Sequence, residues 1–470
     1  MKNRIVFGAG GIAFSTKETA FTTFVLIYYT QVLGLSGTLT GLMLTLGVVW
    51  DAISDPMIGV YSDRFSSRWG RRLPIMAFSI LPMPLGFIAL FMPPDIIVGD
   101  SVYLAIWLLG SSIWLRTAMT LFSIPQLAMV PEIARDYHER SQLLSVRTGL
   151  MYLAGGFLPS LSLYFLFRES SGGDGLFVAE NYVNFGFAAA VFTVFFAAVS
   201  VTGTWGFIDK SKLQSVTVPN SAGLRGLFRD FFATLKCGNF RKLICYDVSA
   251  AAAYGVVYAL NVISYTFYWE VDTDALGTIF GAGILLAVPV AMFSQKSIGR
   301  LWPKHQLIRY TLIGAMISTV WLFPLREFSV LPENGHWLVI ALLVLQNAAL
   351  NCFLMLRIVS TFSLAADLTD ELELNTGNRQ EGGIYSVLLL SAKFAYSFGP
   401  LYGGFALDLI GLDKTVSPDA VPPDVLTGLV WAIVIGTVPL FLLSWRLALR
   451  FSMTPERLEE IQRKLCKSKA

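Results

Sequence analysis

Asp51 and Asp55 stand four residues apart in "WDAISDP" (50–56), which continues an apolar run that begins near Leu42. In a helix, residues i and i+4 share one face. Two bare carboxylates on one face at membrane depth are costly, because desolvation and mutual repulsion both oppose ionising the pair. The pair becomes tolerable when it shares a proton or holds a cation. Its oxygens, with the Ser54 hydroxyl between them, suit a hard cation such as Na⁺. The plainer alternative is two solvated acids at a helix end. Against it, the arginines that mark that end, Arg64 to Arg72, come more than two turns later.

Those arginines lie in "DRFSSRWGRRLP" (63–74). Gly70 permits a tight bend, and Pro74 suits the first turn of the next helix. Asp63, set among Arg64, Arg68, Arg71 and Arg72, can form ion pairs that latch neighbouring helix ends in one state of a cycle. These residues therefore read as a cytoplasmic gate. A basic loop that only marks the cytoplasmic side is the other reading, and both can hold together.

Composition says what elements carry these groups. Of 470 residues, 54% are hydrophobic and 14% charged, against about 25% charged in soluble domains. A soluble protein this apolar would expose large sticky patches, so the chain reads as an all-α, polytopic membrane protein. A net charge of +3 argues against nucleic acid as a partner. Cys237, Cys245, Cys352 and Cys466 show no paired spacing and no clustered histidines, so neither a metal centre nor a disulfide framework is indicated. The opening "MKNRIVFGAGGIAFS" imitates a signal peptide, but Lys17 and Glu18 follow and the apolar run resumes to Tyr29, so it reads as a retained first helix.

A spanning helix needs about 20 apolar residues. Twelve such runs lie near 5–32, 39–62, 74–94, 101–127, 144–167, 182–207, 242–268, 275–296, 306–326, 336–362, 382–407 and 425–448. An even number puts both termini on one side. One set of loops holds Lys2, Arg4, Arg64 to Arg72, Arg135, Arg140, the stretch Lys210 to Lys242, Lys296 to Lys304, Arg379 and the tail from Arg450. The opposite set holds only Arg168, Arg326 and Lys414. The basic side is expected to be cytoplasmic, with both termini there, in the plasma (inner) membrane.

The longest connection, 208–241, divides 1–207 from 242–450, six spans each, with a tail at 451–470. Within it "GLRGLFRDFFATLK" places Leu224, Leu227, Phe228, Phe231, Phe232 and Leu235 on one stripe, as in an amphipathic helix on the inner leaflet. Six and six describe a transporter of two parallel halves with a midplane substrate site between them. The expected partners are a small-molecule solute and membrane lipid, with the chain acting as a monomer. No P-loop pattern is present, and no enzyme chemistry is expected.

Trp50–Asp51–Ala52–Ile53–Ser54–Asp55–Pro56, Gly59, Asp63–Arg64, Ser67–Arg68–Trp69–Gly70–Arg71–Arg72 and Pro74 together resemble the signature of the glycoside–pentoside–hexuronide:cation symporters. That family is the melibiose-permease branch of the major facilitator superfamily. The likeness extends to "YYTQVLGLS" (28–36), "IPQLAMVPEIARDYHERSQLLSVR" (124–147) and "ADLTDELELNTGNRQEGGIYSVLLLSAKF" (366–394), in the family's order. It implies the major facilitator fold, no cofactor, and symport of sugars with Na⁺, H⁺ or Li⁺.

The resemblance also implies roles. The helix-two acids that bind the family's coupling cation fall on Asp51 and Asp55, with Ser54 where the melibiose permeases have asparagine. The helix-four threonine of that site falls on Thr120, the helix-eleven lysine on Lys393 and the helix-five arginine on Arg147. An all-oxygen cage from Asp51, Asp55, Ser54 and Thr120 favours Na⁺ modestly over H⁺. The two acids that hold sugar hydroxyls in melibiose-type members fall on Ser15 and Ser123, and the aromatic one turn beyond the second falls on Leu127. Melibiose-type galactoside recognition is therefore not expected.

In their place stand charges within apolar runs: Lys17, Glu18, Arg116 and Arg357, the last near Asn347 and Asn351. Arg116 and Arg357 could snorkel to an interface or line a cavity, and Lys17–Glu18 could pair locally. If the guanidiniums face the cavity, the solute carries an acidic group. The expectation is cation-coupled symport of a small polar solute such as a sugar, glycoside or uronide. A Na⁺-coupled lipid or lysolipid carrier is the alternative, and a non-transporting sensor a third reading.

Overall fold

The computed structural model describes residues 2–65, 67, 69–134, 137–168, 174–207, 238–301, 303–376, 381–412, 421–451, 457, 460–461 and 463–464. The amphipathic stripe expected at 224–235 and the gate residue Arg68 lie outside the described residues. All regular structure described is helical. The principal rods are α1 (Lys2–Thr19), α2 (Gly37–Arg64), α3 (Leu73–Ser79), α4 (Pro82–Phe91), α5 (Ser101–Ala128), α6 (Tyr137–Phe165) and α7 (Ala179–Phe207). After residue 237 come α8 (Gly238–Ile263), α9 (Thr273–Leu301), α10 (Lys304–Val320), α11 (Trp337–Thr376), α12 (Glu381–Tyr396), α13 (Phe398–Ile410) and α14 (Pro423–Ala448). Among the described residues, nine helices are long and apolar enough to cross a membrane.

Local chemistry sets several boundaries. Ser36 caps α2, its Oγ accepting from the Leu39 amide at 3.2 Å, and Asp100 caps α5 by accepting from the Val102 and Tyr103 amides. The apolar run expected at 74–94 breaks between α3 and α4, where Pro82 has no N–H to continue the ladder. The run at 382–407 likewise divides at Ser397, three residues before Pro400. The run at 336–362 continues to Thr376. α1 and α8 both lead into wide π-turns, Ala20–Phe24 and Tyr28–Val32 in one case and Ser264–Tyr268 in the other. Such turns insert a residue and re-aim the side chains that follow.

Large apolar side chains remain on the outside, among them Leu81, Val191, Met292 and Leu409. Inside, the packing differs between the two ends of the bundle. At the end of Tyr29, Tyr182, Trp269 and Phe323, residues from 20–190 and from 256–433 merge in one apolar cluster. At the arginine-rich end the clusters are separate: Phe7, Leu73 and Phe122 belong to clusters built from 2–207, whereas Phe240, Tyr246 and Ile308 belong to one built from 238–461. The merged end is tied further by Asp408 of α13, which accepts from the Gly37 and Thr38 amides at 2.7 and 2.8 Å. α2 and α13 touch so closely there that a Cβ on Gly404 would sit 1.9 Å from the Gly37 carbonyl oxygen. Among the described residues, apolar packing thus joins the two segments at one end and is divided between them at the other.

Candidate functional site

Asp51 and Asp55 occupy successive turns of α2, and the structure supplies a different cation to each. The Arg116 Nη1 of α5 donates to Asp51 Oδ2 at 2.7 Å, and the guanidinium lies over the Phe21 ring, 4.3 Å from its centroid. Among the described residues, Asp51 Oδ1 and Arg116 Nε are buried without a hydrogen-bond partner. Asp55 Oδ1 accepts from Thr120 Oγ1 at 3.0 Å, and Asp55 Oδ2 accepts from the Lys393 ammonium of α12 at 2.5 Å. Thr120 follows Arg116 by one turn, so α5 presents both partners in the same register as the acids. Ser54, buried, turns its hydroxyl to the Asp51 carbonyl at 3.4 Å.

The Lys17 ammonium pairs with Glu18 at 2.5 Å and lies 4.7 Å from the centre of the Phe14 ring. Glu18 is within electrostatic reach of Arg116 and Lys393, and Lys393 of Asp51. The six groups form one cluster of three formal cations (Lys17, Arg116, Lys393) and three carboxylates (Glu18, Asp51, Asp55). Ser15, two residues before Lys17, is buried, and Ser123, one turn from Thr120, is buried as well.

Arg147 of α6 also lies over the Phe14 ring, 5.9 Å from its centroid. Its Nε donates to Gln126 Oε1 at 2.9 Å, while Gln126 Nε2 donates to the Phe7 carbonyl and to Ser200 Oγ. Gln126 thus joins α1, α5, α6 and α7, and a Cβ on Gly10 would fall 1.9 Å from its Nε2. The cation added here faces a neutral amide.

Arg357 lies apart from the cluster. It is buried in α11 and donates to Asp247 Oδ1 of α8 at 2.6 Å, beside the Tyr254 ring. Neither Arg116 nor Arg357 snorkels, since both are under a tenth exposed and each meets a carboxylate. Asn351 accepts from Tyr258 Oη at 2.9 Å and donates to Asn347. Asp247 is absent from the site expected from sequence. A single acid in the apolar run after Lys242 was its available signal.

At the arginine-rich end Asp63 Oδ1 accepts from Arg72 Nη2 at 2.5 Å, and the Asp63 carbonyl accepts from Arg71 at 3.5 Å. Arg72 also donates to the Ala128 carbonyl. Gly70 takes the left-handed backbone, φ +92°, that closes the turn. This latch joins the ends of α2, α3 and α5. Arg64 extends from the last turn of α2 beside it.

Residues 6–455 match the family model described as MFS/sugar transport protein. The chain is 23% identical to the glucuronide carrier protein homolog of Escherichia coli (strain K12), over 97% of this chain and 93% of that one. It is 22% identical to the isoprimeverose transporter of Lactiplantibacillus pentosus, over 87% and 80%. Its fold resembles that of the nucleoside transporter NupG, with a TM-score of 0.63 at 13% identity over 97% of this chain and 100% of the other.

Proposed function

We propose that this chain, which belongs to the MFS/sugar transport protein family and its glycoside–pentoside–hexuronide branch, moves a small polar solute with an acidic group together with a monovalent cation, by alternating access. As a member it is a multi-pass membrane transporter, not an enzyme. The observation that carries the finer reading is the Asp55–Lys393 pair with Thr120 at 3.0 Å. It joins a carboxylate on α2 to an ammonium on α12, across the parting between the two segments of the chain. A proton or Na⁺ at Asp55 releases Lys393, and the freed ammonium attracts an anion. Cation and solute thereby favour each other's binding, which is what symport requires.

Two features support an acidic solute. Arg147, whose described hydrogen bond goes to neutral Gln126, stands with Lys17 around Phe14. A relative is named as a glucuronide carrier homolog. Ser15 and Ser123, in place of acids, leave that region free of further negative charge. Twelve spanning helices in two parallel halves, 1–207 and 242–450, fit the matching π-turns after α1 and α8. The arginine-rich end is the cytoplasmic one, so the closed outer end and parted inner end describe an inward-facing state in the inner membrane.

One observation favours a second reading, a lipid carrier. An apolar groove of about 510 Å³ opens between α6 and α9, lined by Phe157, Leu161, Phe165 and Leu285. Reconstituted full-length protein, offered labelled methyl glucuronide, methyl glucoside and lysophosphatidylcholine under an imposed Na⁺ or proton gradient, separates the readings. Uphill uptake of the glucuronide is expected. Gradient-driven uptake of the lysolipid alone would replace this function with the second.

A further inference from the structure

The two carboxylates of α2 are not equivalent, although sequence makes them look like a matched pair. Asp51 and its partner Arg116 have side chains 5% and 8% exposed, whereas Asp55 and Lys393 are 16% and 40% exposed. Arg116 is clamped: its guanidinium stacks on Phe21 and lies along Gly47, where a Cβ would approach Nε to 3.1 Å. Its helix, α5, belongs to the same segment as α2, so the Asp51–Arg116 pair rides through any separation of the two segments unbroken. Lys393 sits on the other segment, and any such separation pulls it from Asp55. A guanidinium also stays charged where an ammonium can lose its proton.

We infer that Arg116 is a built-in cation at Asp51, so that Asp55 alone receives the transported cation, in exchange for Lys393. The inference rests on the cation-coupled reading above and specifies it. The second position of a two-carboxylate cage is filled permanently by the protein itself. The six-charge cluster is then formally neutral with no ion bound. A second external cation would have to enter beside a fixed guanidinium, which repels it strongly at these distances.

Radiolabelled Na⁺ alone, in equilibrium dialysis against the purified full-length protein at mildly alkaline pH, tests this. Arg116→Gln frees Asp51 to join Asp55 as a ligand, and Na⁺ should bind about tenfold more tightly or better. Arg116→Lys, which keeps the charge, should bind Na⁺ as weakly as the unmodified protein. A folded Arg116→Gln protein with no gain in Na⁺ binding overturns the inference. If Arg116→Gln does not fold, the double variant Asp51→Asn/Arg116→Gln removes the pair as a neutral unit. Na⁺ binding that still responds to Asp55 then supports the inference, and loss of it makes Asp51 a ligand and overturns it. Asp55→Asn and Lys393→Gln keep the two readings apart. If neither changes Na⁺ or proton binding, cation coupling itself fails. If both do and Arg116→Gln gives no gain, only the fixed cation falls.

Discussion

The Lys393 ammonium lies 2.5 Å from Asp55 Oδ2, although 338 residues separate the two in the chain. It is an ion pair between the two segments, toward the end where their described apolar clusters are separate. In the proposed coupling, a cation taken up by the acid ends this bridge between the segments.

Asp55→Asn removes the acid that the exchange requires. Gradient-driven accumulation of methyl glucuronide should fall to the downhill level, with expression and membrane insertion intact. Lys393→Gln should strengthen cation binding and weaken glucuronide binding. Uphill uptake by Asp55→Asn at the unmodified rate would contradict the proposed coupling.

Exchange of one cation for Lys393, with one anion taken up by the freed ammonium, leaves the charge of the buried cluster unchanged. Uptake of a monoanion should therefore be electroneutral. In proteoliposomes with a K⁺ gradient and valinomycin, methyl glucuronide uptake should be insensitive to the sign of the potential. A steep dependence on potential implies a second cation per cycle.

Arg357 and Asp247 should act as a structural unit. Removing one partner of a buried pair typically costs about 3–5 kcal/mol, and removing both as a unit far less. Arg357→Gln and Asp247→Asn should each lower the melting temperature of the purified protein more than the double variant does. Selectivity between glucuronide and glucoside should not change. A selectivity change in a stable Arg357→Gln protein would bring Arg357 into the substrate site.

Gly10→Ala puts a methyl group where Gln126 Nε2 lies, 1.9 Å from the ideal Cβ position. Overpacking of this kind costs about 1–3 kcal/mol. It should also loosen Arg147, which is held by the same amide, and weaken glucuronide binding more than Na⁺ binding. Equal loss of both would mean that the substitution acts through stability alone.

Asp408→Ala removes the carboxylate that caps α2 from the other segment. Loss of such a cap costs about 1 kcal/mol. Amide hydrogen exchange at Gly37 and Thr38 should quicken about fivefold, the rate change that this energy implies. Unchanged exchange would show that close packing of Gly404 on Gly37 suffices to close this end.

Much of this molecule is legible in its sequence. Long apolar runs force helices, because lipid offers backbone groups no other partner, and the motifs of 50–74 identify the family. The spacing of Asp51 and Asp55 puts them on one face, and Arg116 and Thr120 repeat that spacing on another helix. The breaks at Pro82 and near Pro400, inside runs read from sequence as continuous, have a missing N–H as their cause. Only the tertiary structure decided which charge meets which. Periodicity says toward which face a side chain points, but not which helix lies opposite. A charge in an apolar helix announces that it needs a partner without naming it. Arg116 found Asp51 at a separation of 65 residues, Arg357 found Asp247 at 110 and Lys393 found Asp55 at 338. Two of those partners were within the expected site and one, Asp247, was not. Helix packing also made the two acids unequal, by burying one against an arginine of its own segment and leaving the other, more exposed, to a lysine of the other segment.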